Sequence, residues 1–420
     1  MKILHVVINY HPSIGGTQNL FKGISENLVN IYGDEVEVVT IDSYFGSHTK
    51  NYKKIAEKNE VINGVFVRRF NFLRAHKKII SVIAKVFGKL TGKASERLAK
   101  YYNGPISNDL FKAIRNTDAD IVVISPTGFS FSSYPLFREK IMNKKPCVIQ
   151  GAIHFKNDKK IKVLSEETIK SLKATEYYIA NTQYEKDRLI ELEVDENSIN
   201  VVGVAIDVDE FKSGDRSYYR NKLDLKSDDI LIGYFGRLET TKSIDVLVKA
   251  FASVSSQVQN VKLIIGGAST HFVEGLKKII DTFPIEVQKK IFFEFNISNS
   301  DKVNFFHALD IFVLPSTNES FGIVFLEAWS CGKPVIGANI GAVASVINDG
   351  KDGLLMNPFD VDDLSNKLMT LAANADLRLE LGINGYNKTK ENYTWPIVTK
   401  KYRDTYLAAI DKFNHSVVNN

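Results

Sequence analysis

Ile230-Leu231-Ile232-Gly233-Tyr234-Phe235-Gly236-Arg237-Leu238-Glu239-Thr240-Thr241-Lys242-Ser243 is the stretch that sets the fold class. Its first six residues form a short apolar run of the kind that parallel strands buried on both faces require. Downstream, Ile244, Leu247, Val248, Phe251 and Val254 recur at helical spacing, with Ser243 as the expected N-cap. Strand, turn and helix then repeat in both directions. Strand-like runs are expected at 3–8, 36–41, 121–125, 147–150 and 177–180, and again at 261–265, 291–295, 311–314 and 334–337. Such alternation predicts an α/β protein with two doubly wound parallel sheets. The pattern breaks near 203–220, where Gly203, Gly214, Asp215 and Ser217 interrupt it, and again at Tyr393-Thr394-Trp395-Pro396. Trp395 opens a last amphipathic helix expected to run to about residue 412, followed by a frayed tail.

Composition bounds the function. Hydrophobic residues are 44% and charged residues 25% of 420, as in folded globular proteins, so disorder and coiled coil are excluded. Two cysteines, Cys147 and Cys331, make no disulfide framework and point to a reducing compartment. The eight histidines lack zinc-enzyme spacing. A net charge of +5 is too small to suggest nucleic acid. That charge is unevenly placed: residues 51–100 hold thirteen Lys and Arg against three Asp and Glu, so the remainder is net negative. The opening Met1–Tyr10 reads as a buried strand rather than a secretion signal, and no apolar run approaches eighteen residues. A cytoplasmic protein is expected, with peripheral attachment to the inner membrane face as an open option.

Four groups of residues carry chemistry. Gly236–Lys242 sits where a strand meets a helix, the edge at which open α/β sheets bind ligands, and Arg237 and Lys242 can straddle a diphosphate. Solvated loop charge is the alternative. In Pro315-Ser316-Thr317-Asn318-Glu319-Ser320-Phe321-Gly322-Ile323-Val324-Phe325-Leu326-Glu327-Ala328-Trp329, Glu327 lies within an almost wholly apolar helix, where a lone carboxylate is costly without partners. A diphosphate on the helix tip at Gly322 would put Glu327 roughly 7.5 Å along the axis, near a ribose, with Glu319 on the sugar side. A core Lys or Arg paired with Glu327 is the competing reading. The loop Tyr10-His11-Pro12-Ser13-Ile14-Gly15-Gly16-Thr17-Gln18 offers free N–H groups and close backbone approach through Gly15 and Gly16, unless it is only a tight turn. His154 follows a strand-like run and could donate to a hydroxyl or phosphate, or could be a structural histidine.

In this order the four groups resemble the GT-B-fold retaining glycosyltransferases of family four. Leu314-Pro315-Ser316, Glu327-Ala328 before Cys331-Gly332-Lys333-Pro334-Val335-Ile336, Asp349-Gly350-Lys351-Asp352-Gly353-Leu354-Leu355 and Trp395 are similar to that family as well. The resemblance implies two Rossmann-like domains facing a central cleft. Residues 1–205 would form the acceptor side, 206–395 the donor side, and 396–420 would return to the first domain. It implies a hexosyltransferase that moves sugar from a nucleotide sugar, with a UDP-sugar favoured, to a glycan or lipid-linked acceptor in surface polysaccharide or glycoconjugate synthesis. Arg237 and Lys242 would hold the diphosphate and Glu327 the ribose. Glu319 would contact the sugar, with Ser320, Phe321 and Gly322 offering N–H groups beside it. Gly16 would pass the phosphates, and His154 would face the reacting carbon as a catalytic residue with Glu319. The sequence departs from the family at Val204-Ala205-Ile206-Asp207, at Ser345 where a Glu is usual, and at Asn296 where a Gly is usual.

No cofactor and no metal are expected, because cations and a helix tip can stabilise a leaving diphosphate. Asp118-Ala119-Asp120 and Asp207-Val208-Asp209 look like DxD metal motifs but are read as structural. From about His76, Ile79, Val82, Ile83, Val86 and Leu90 share a helical face beside Lys78, Lys85 and Lys89, so 76–93 either meets an anionic membrane or packs on its own domain. Two other functions stay open: a nicotinamide-dependent dehydrogenase with Asp42 as the ribose acid, and a non-catalytic nucleotide-sugar binder on the same fold.

Overall fold

The computed structural model describes residues 1–13, 15–44, 52–73, 77–91, 107–126, 142, 144–153, 164 and 166–418. The chain divides into two compact units, Met1–Ala205 with Trp395–Asn420, and Ile206–Thr394.

Among the described residues, the first unit is built on an eight-stranded sheet. Its strands are β1 (Lys2–Val7), β2 (Glu35–Ile41), β3 (Asn59–Ile62), β4 (Val65–Phe70), β5 (Ile121–Ser125), β6 (Cys147–Gln150), β7 (Tyr177–Ala180) and β8 (Ile199–Val201). The spatial order is β3-β4-β2-β1-β5-β6-β7-β8, with every pairing parallel except β3 with β4. β5 and β6 are buried along their whole length, as their unbroken apolar runs require.

The β3–β4 hairpin was not legible as an apolar run, because β3 alternates exposed and half-buried residues at the sheet edge. Its signal is Asn63-Gly64, whose φ values of 48° and 83° suit a tight two-residue hairpin turn.

The second unit holds β9 (Ile230–Phe235), β10 (Val261–Gly267), β11 (Ile291–Phe295), β12 (Ile311–Leu314), β13 (Val335–Ala338) and β14 (Leu354–Met356). All pairings are parallel, in the order β11-β10-β9-β12-β13-β14. In chain order this is 3-2-1-4-5-6, the Rossmann arrangement, with its switch point between β9 and β12. The three-residue strands β8 and β14 were missed because they are too short to show a period.

The last helix, Trp395–Val418, is longer than its apolar pattern suggested, and residues 414–418 are helical rather than frayed. Within the first unit its buried Val398, Tyr402, Tyr406 and Ala409 face the Gly16–Tyr32 helix and the sheet. The Tyr406 hydroxyl meets His5 Nε2 at 3.2 Å, and Ser25 Oγ meets Nδ1 at 2.8 Å. Full burial pushes the His5 imidazole down to about 3, so it is neutral. Arg403 reaches Asp34 at 2.8 Å.

A carboxyl in this unit gives a testable pH dependence. Glu176 accepts the Cys147 N–H at 2.6 Å, and burial pushes its pKa from 4.5 up to about 7. The unfolded chain ionises first, so this group lowers stability as pH rises from 4.5 to about 7. Glu176→Gln is therefore expected to gain on the wild type, by on the order of 3 kcal/mol between pH 4.5 and 8. Urea melts at the two pH values check this, and a constant difference between the two proteins would refute it.

The Lys77–Thr91 helix covers most of residues 76–93; His76 lies outside the described residues. Along it Val82, Ile83, Val86, Phe87 and Leu90 are all exposed, Leu90 by 80%. Among the described residues no helix is long and apolar enough to cross a membrane.

Candidate active site

The second unit places its charged residues at the switch point. The loop after β9 runs through Gly236–Ser243, and the loop after β12 through Pro315–Gly322. The two are tied together: the Thr317 N–H and the Ser316 hydroxyl both donate to the Thr241 carbonyl, at 3.4 and 3.3 Å. This brings Lys242 Nζ to 2.6 Å from Glu319 Oε1, with both side chains largely buried. β10 supports the same edge. Gly267 has φ of 133°, and a Cβ there would collide with the Gly236 carbonyl.

Tyr234 sits beneath this loop, and its hydroxyl donates to the Arg237 carbonyl at 2.9 Å. Burial, then the charges of Glu319 and Glu239, push its phenol well above the ordinary range, while Arg237 pulls the other way. Arg237, Glu239 and Glu319 thus act on one point. The Arg237 guanidinium itself is 71% exposed, with Glu239 at 3.6 Å. It is the exposed member of the expected cation pair, and Lys242 is the buried one.

Gly322 caps the Ile323–Ser330 helix with φ of 92°, a conformation open to glycine at little cost. Phe321 is buried against Tyr393, and Ser320 is half-buried beside it. Glu327 follows within this helix at 6% exposure. Its Oε1 receives Lys302 Nζ at 2.6 Å, while Oε2 is buried without a partner among the described residues. The competing reading, a core lysine paired with Glu327, is thus met at the first oxygen. Burial pushes this carboxyl above the usual range, and Lys302 opposes that shift. Lys302 was missed because it lies 25 residues away, in the first turn of the Asn299–Ala308 helix after β11. The only hint was that a buried carboxylate needs a cation.

The structure bears on three smaller points. Ser243 does occupy the N-cap of the Ile244–Gln257 helix, but in a left-handed conformation with no capping bond. Asn296, where the family has Gly, takes φ of 56°, a region asparagine tolerates better than most residues. Asp207 accepts the N–H groups of Asp209 and Glu210 at 2.9 and 3.3 Å, as a turn-capping residue does.

Residues 215–388 match the family model described as glycosyl transferases group 1. The chain carries a group 1 glycosyl transferase domain. Among curated relatives, the D-inositol 3-phosphate glycosyltransferase of Saccharomonospora viridis is 27% identical over 259 residues. That match takes in 60% of this chain and spans only 59% of the relative's length. Among solved structures, a glycosyltransferase from Rickettsia africae superposes with a TM-score of 0.69 at 19% identity, covering 97% of this chain and 98% of that one. Anabaena HepE in complex with UDP and glucose gives 0.66 at 18%, covering 96% and 99%. At these identities the structures speak for the fold, and the fold is that of GT-B glycosyltransferases with two Rossmann-like units. The resemblance drawn from the motifs holds at both levels. Lys242, Glu319, Lys302 and Glu327 all belong to the group 1 domain.

The first unit lies outside the family match. There Gly15 caps, and Gly16 opens, the Gly16–Tyr32 helix. The preceding loop is held by Arg69, whose Nη2 donates to the His11 carbonyl at 2.6 Å, and by Asn9, whose Nδ2 donates to the Ser43 carbonyl at 2.7 Å. His154 lies outside the described residues. Asp42, on which the dehydrogenase reading rests, is buried with Lys58 Nζ at 2.6 Å, so its carboxylate is already engaged. Asp118 takes the Lys2 ammonium at 2.6 Å and Asp120 the Lys2 N–H at 2.7 Å.

Proposed function

We propose that this protein is a retaining glycosyltransferase. It moves a hexosyl group from a nucleotide sugar, a UDP-sugar first among the candidates, to a hydroxyl of a glycan or lipid-linked acceptor in surface polysaccharide or glycoconjugate synthesis. The observation that carries this reading is the buried Lys242–Glu319 contact at the switch point, followed on the next helix by Glu327, paired with Lys302 and with one oxygen unpartnered among the described residues. In this reading Glu327 accepts from ribose hydroxyls. Lys242, Arg237 and the N–H groups of Ser320, Phe321 and Gly322 stabilise the diphosphate as negative charge develops. Gly15 and Gly16 give close backbone approach, and His154 and Glu319 serve the sugar. The bond from the anomeric carbon to the diphosphate breaks on the face where the acceptor oxygen bonds, and the acceptor proton passes to a phosphate oxygen. HepE, solved with UDP and glucose, supports the choice of donor.

The test is release of UDP from UDP-sugars with a panel of acceptors, with the product anomer read by NMR. Inositol 3-phosphate belongs in that panel because relatives carry its name. No divalent cation has a part in this mechanism, so turnover should survive EDTA. Turnover lost to EDTA and restored by Mg²⁺ would count against it. Tight binding of UDP-sugar with no turnover on any acceptor would favour the non-catalytic reading.

For the acceptor side we propose that the Lys77–Thr91 helix meets an anionic membrane. Exposed Val82, Ile83, Val86, Phe87 and Leu90 lie on a helix that also carries Lys77, Lys78, Lys85 and Lys89. The protein should float with vesicles containing phosphatidylglycerol and not with neutral ones. Val86→Asp with Leu90→Asp should abolish flotation, and absence from the anionic vesicles would end the proposal.

A further inference from the structure

The loop between β12 and the Ile323–Ser330 helix is held by different means in its two halves. Polar bonds fix the first half. The Thr317 N–H and the Ser316 hydroxyl donate to the Thr241 carbonyl, the Asn318 N–H donates to Ser316 Oγ at 3.4 Å, and Glu319 takes the Lys242 ammonium. The second half is Ser320, Phe321 and Gly322, whose N–H groups are the ones given to the diphosphate above. Among the described residues no hydrogen bond takes up any of these N–H groups. A segment without polar anchors takes its position from what its side chains pack on.

The side chain that does this is Phe321. It is 3% exposed, and its ring meets the Tyr393 ring at 5.3 Å between centroids and 77° between planes. Edge-to-face is the arrangement that ring quadrupoles favour, so the contact orients as well as buries. Tyr393 is itself pinned through its backbone. Its N–H donates to the Thr389 carbonyl at 2.9 Å, at the end of the Ala375–Asn392 helix, and its carbonyl accepts the Ile206 N–H at 2.8 Å. Ile206 and Thr394, the first and last residues of the second unit, form a parallel bridge at the same point. The ring therefore stands where the incoming and outgoing chain of this unit are bonded to each other. On the far side of Phe321 a Cβ on Gly322 would sit 2.7 Å from the Phe325 ring, so the turn is closely packed there too.

We infer that Tyr393 is a positioning residue for donor binding and transfer. Through Phe321 its ring sets where the N–H groups of Ser320, Phe321 and Gly322 stand, and so how well they meet a nucleoside diphosphate. Donors held in place before the charge develops need no reorganisation, which is why their exact position matters. This inference rests on the reading of that loop as the diphosphate site. A Tyr393 that only filled the core would cost stability when truncated, with no preference among ligands. A positioning Tyr393 acts on the diphosphate end alone, because the ribose falls to Glu327, which Lys302 holds.

The experiment uses the full chain with UDP and uridine, which differ by the diphosphate, measured by calorimetry and by ligand-observed NMR. Tyr393→Ala should weaken UDP about tenfold and leave uridine within about twofold. With saturating UDP-sugar its kcat should fall about tenfold, and amide exchange at Phe321 and Gly322 should speed up about tenfold. Tyr393→Phe, which keeps the ring, should restore all three to within about twofold of the wild type. Phe321→Ala should match Tyr393→Ala, and the double variant should lose no more than either single one. Equal losses for UDP and uridine, a Tyr393→Ala protein that keeps the wild-type preference for UDP, or additive losses in the double variant would overturn the inference alone. A wild type that binds UDP no tighter than uridine would sink the diphosphate reading and this inference with it. Thermal melts report whether the variants are folded. Should Tyr393→Ala not fold, Tyr393→Leu, which keeps bulk without a ring, carries the test by the same criteria.

Discussion

Glu327→Gln should weaken the binding of UDP and UDP-sugars by about 10- to 150-fold, the loss expected when charge-assisted hydrogen bonds worth about 1.5–3 kcal/mol are removed. The substitution keeps the side-chain volume within the apolar helix, so the change reads the charge rather than a cavity. It acts twice. Oε2, buried and without a partner among the described residues, can no longer accept as an anion, and the Lys302 ammonium at 2.6 Å loses its counter-ion. Removing one member of such a buried pair costs more than the pair contributes. Lys302→Met should then reproduce much of the loss by a different route, since without its cation Glu327 ionises less readily in its buried position.

Because burial holds the Glu327 carboxyl above the usual range, donor binding should strengthen as pH rises through its titration, where the accepting, ionised form takes over. In Glu327→Gln that dependence should vanish. Calorimetric titration with UDP across pH 5 to 8 reads both effects. Affinity unchanged by Glu327→Gln would remove the ribose role.

The second large effect is expected at Lys242. Lys242→Ala should lower kcat by about 10²–10³-fold, the size typical of a lost charge-stabilising donor. Its ammonium is held at 2.6 Å from Glu319 by two loops that are themselves bonded together, so the cation is in place before a donor arrives. Arg237 cannot stand in for it, being 71% exposed and anchored only loosely to Glu239. Lys242→Arg should recover little, because a planar guanidinium does not fit where a compact ammonium sits between loop and carboxylate. Single-turnover rates with saturating UDP-sugar give the measurement. A variant that binds donor poorly yet transfers at the wild-type rate would show Lys242 to be a binding group only.

Five of the six described strands of the second unit were legible because each is a short, mainly apolar run, whereas the three-residue β14 was not. The limits expected for β9, β11 and β12 coincide with the observed ones. β3 was not legible, because an edge strand half open to water alternates too weakly to stand out. Glu327 could be singled out from its helix alone, since a carboxylate among Val324, Phe325, Leu326, Ala328 and Trp329 breaks the pattern. Glu185 could not. Its neighbours Tyr184, Lys186 and Asp187 make it look like any surface helix residue, and only the fold shows that it is buried.

The sequence by itself determined that two α/β units follow one another, that Arg237, Lys242 and Glu319 fall in loops past strand ends, and that Glu327 lies in the helix after the second of those loops. Both follow from local periodicity and from where each apolar run stops. Only the tertiary structure decided which charges meet. Lys242 and Glu319 are 77 residues apart in the chain, and Lys302 and Glu327 are 25 apart. Ion pairing falls off with distance in space, and no local pattern encodes a distance between separate strands and helices. Strand order sets it, by laying β9 beside β12 and so joining the two loops that bear the charge.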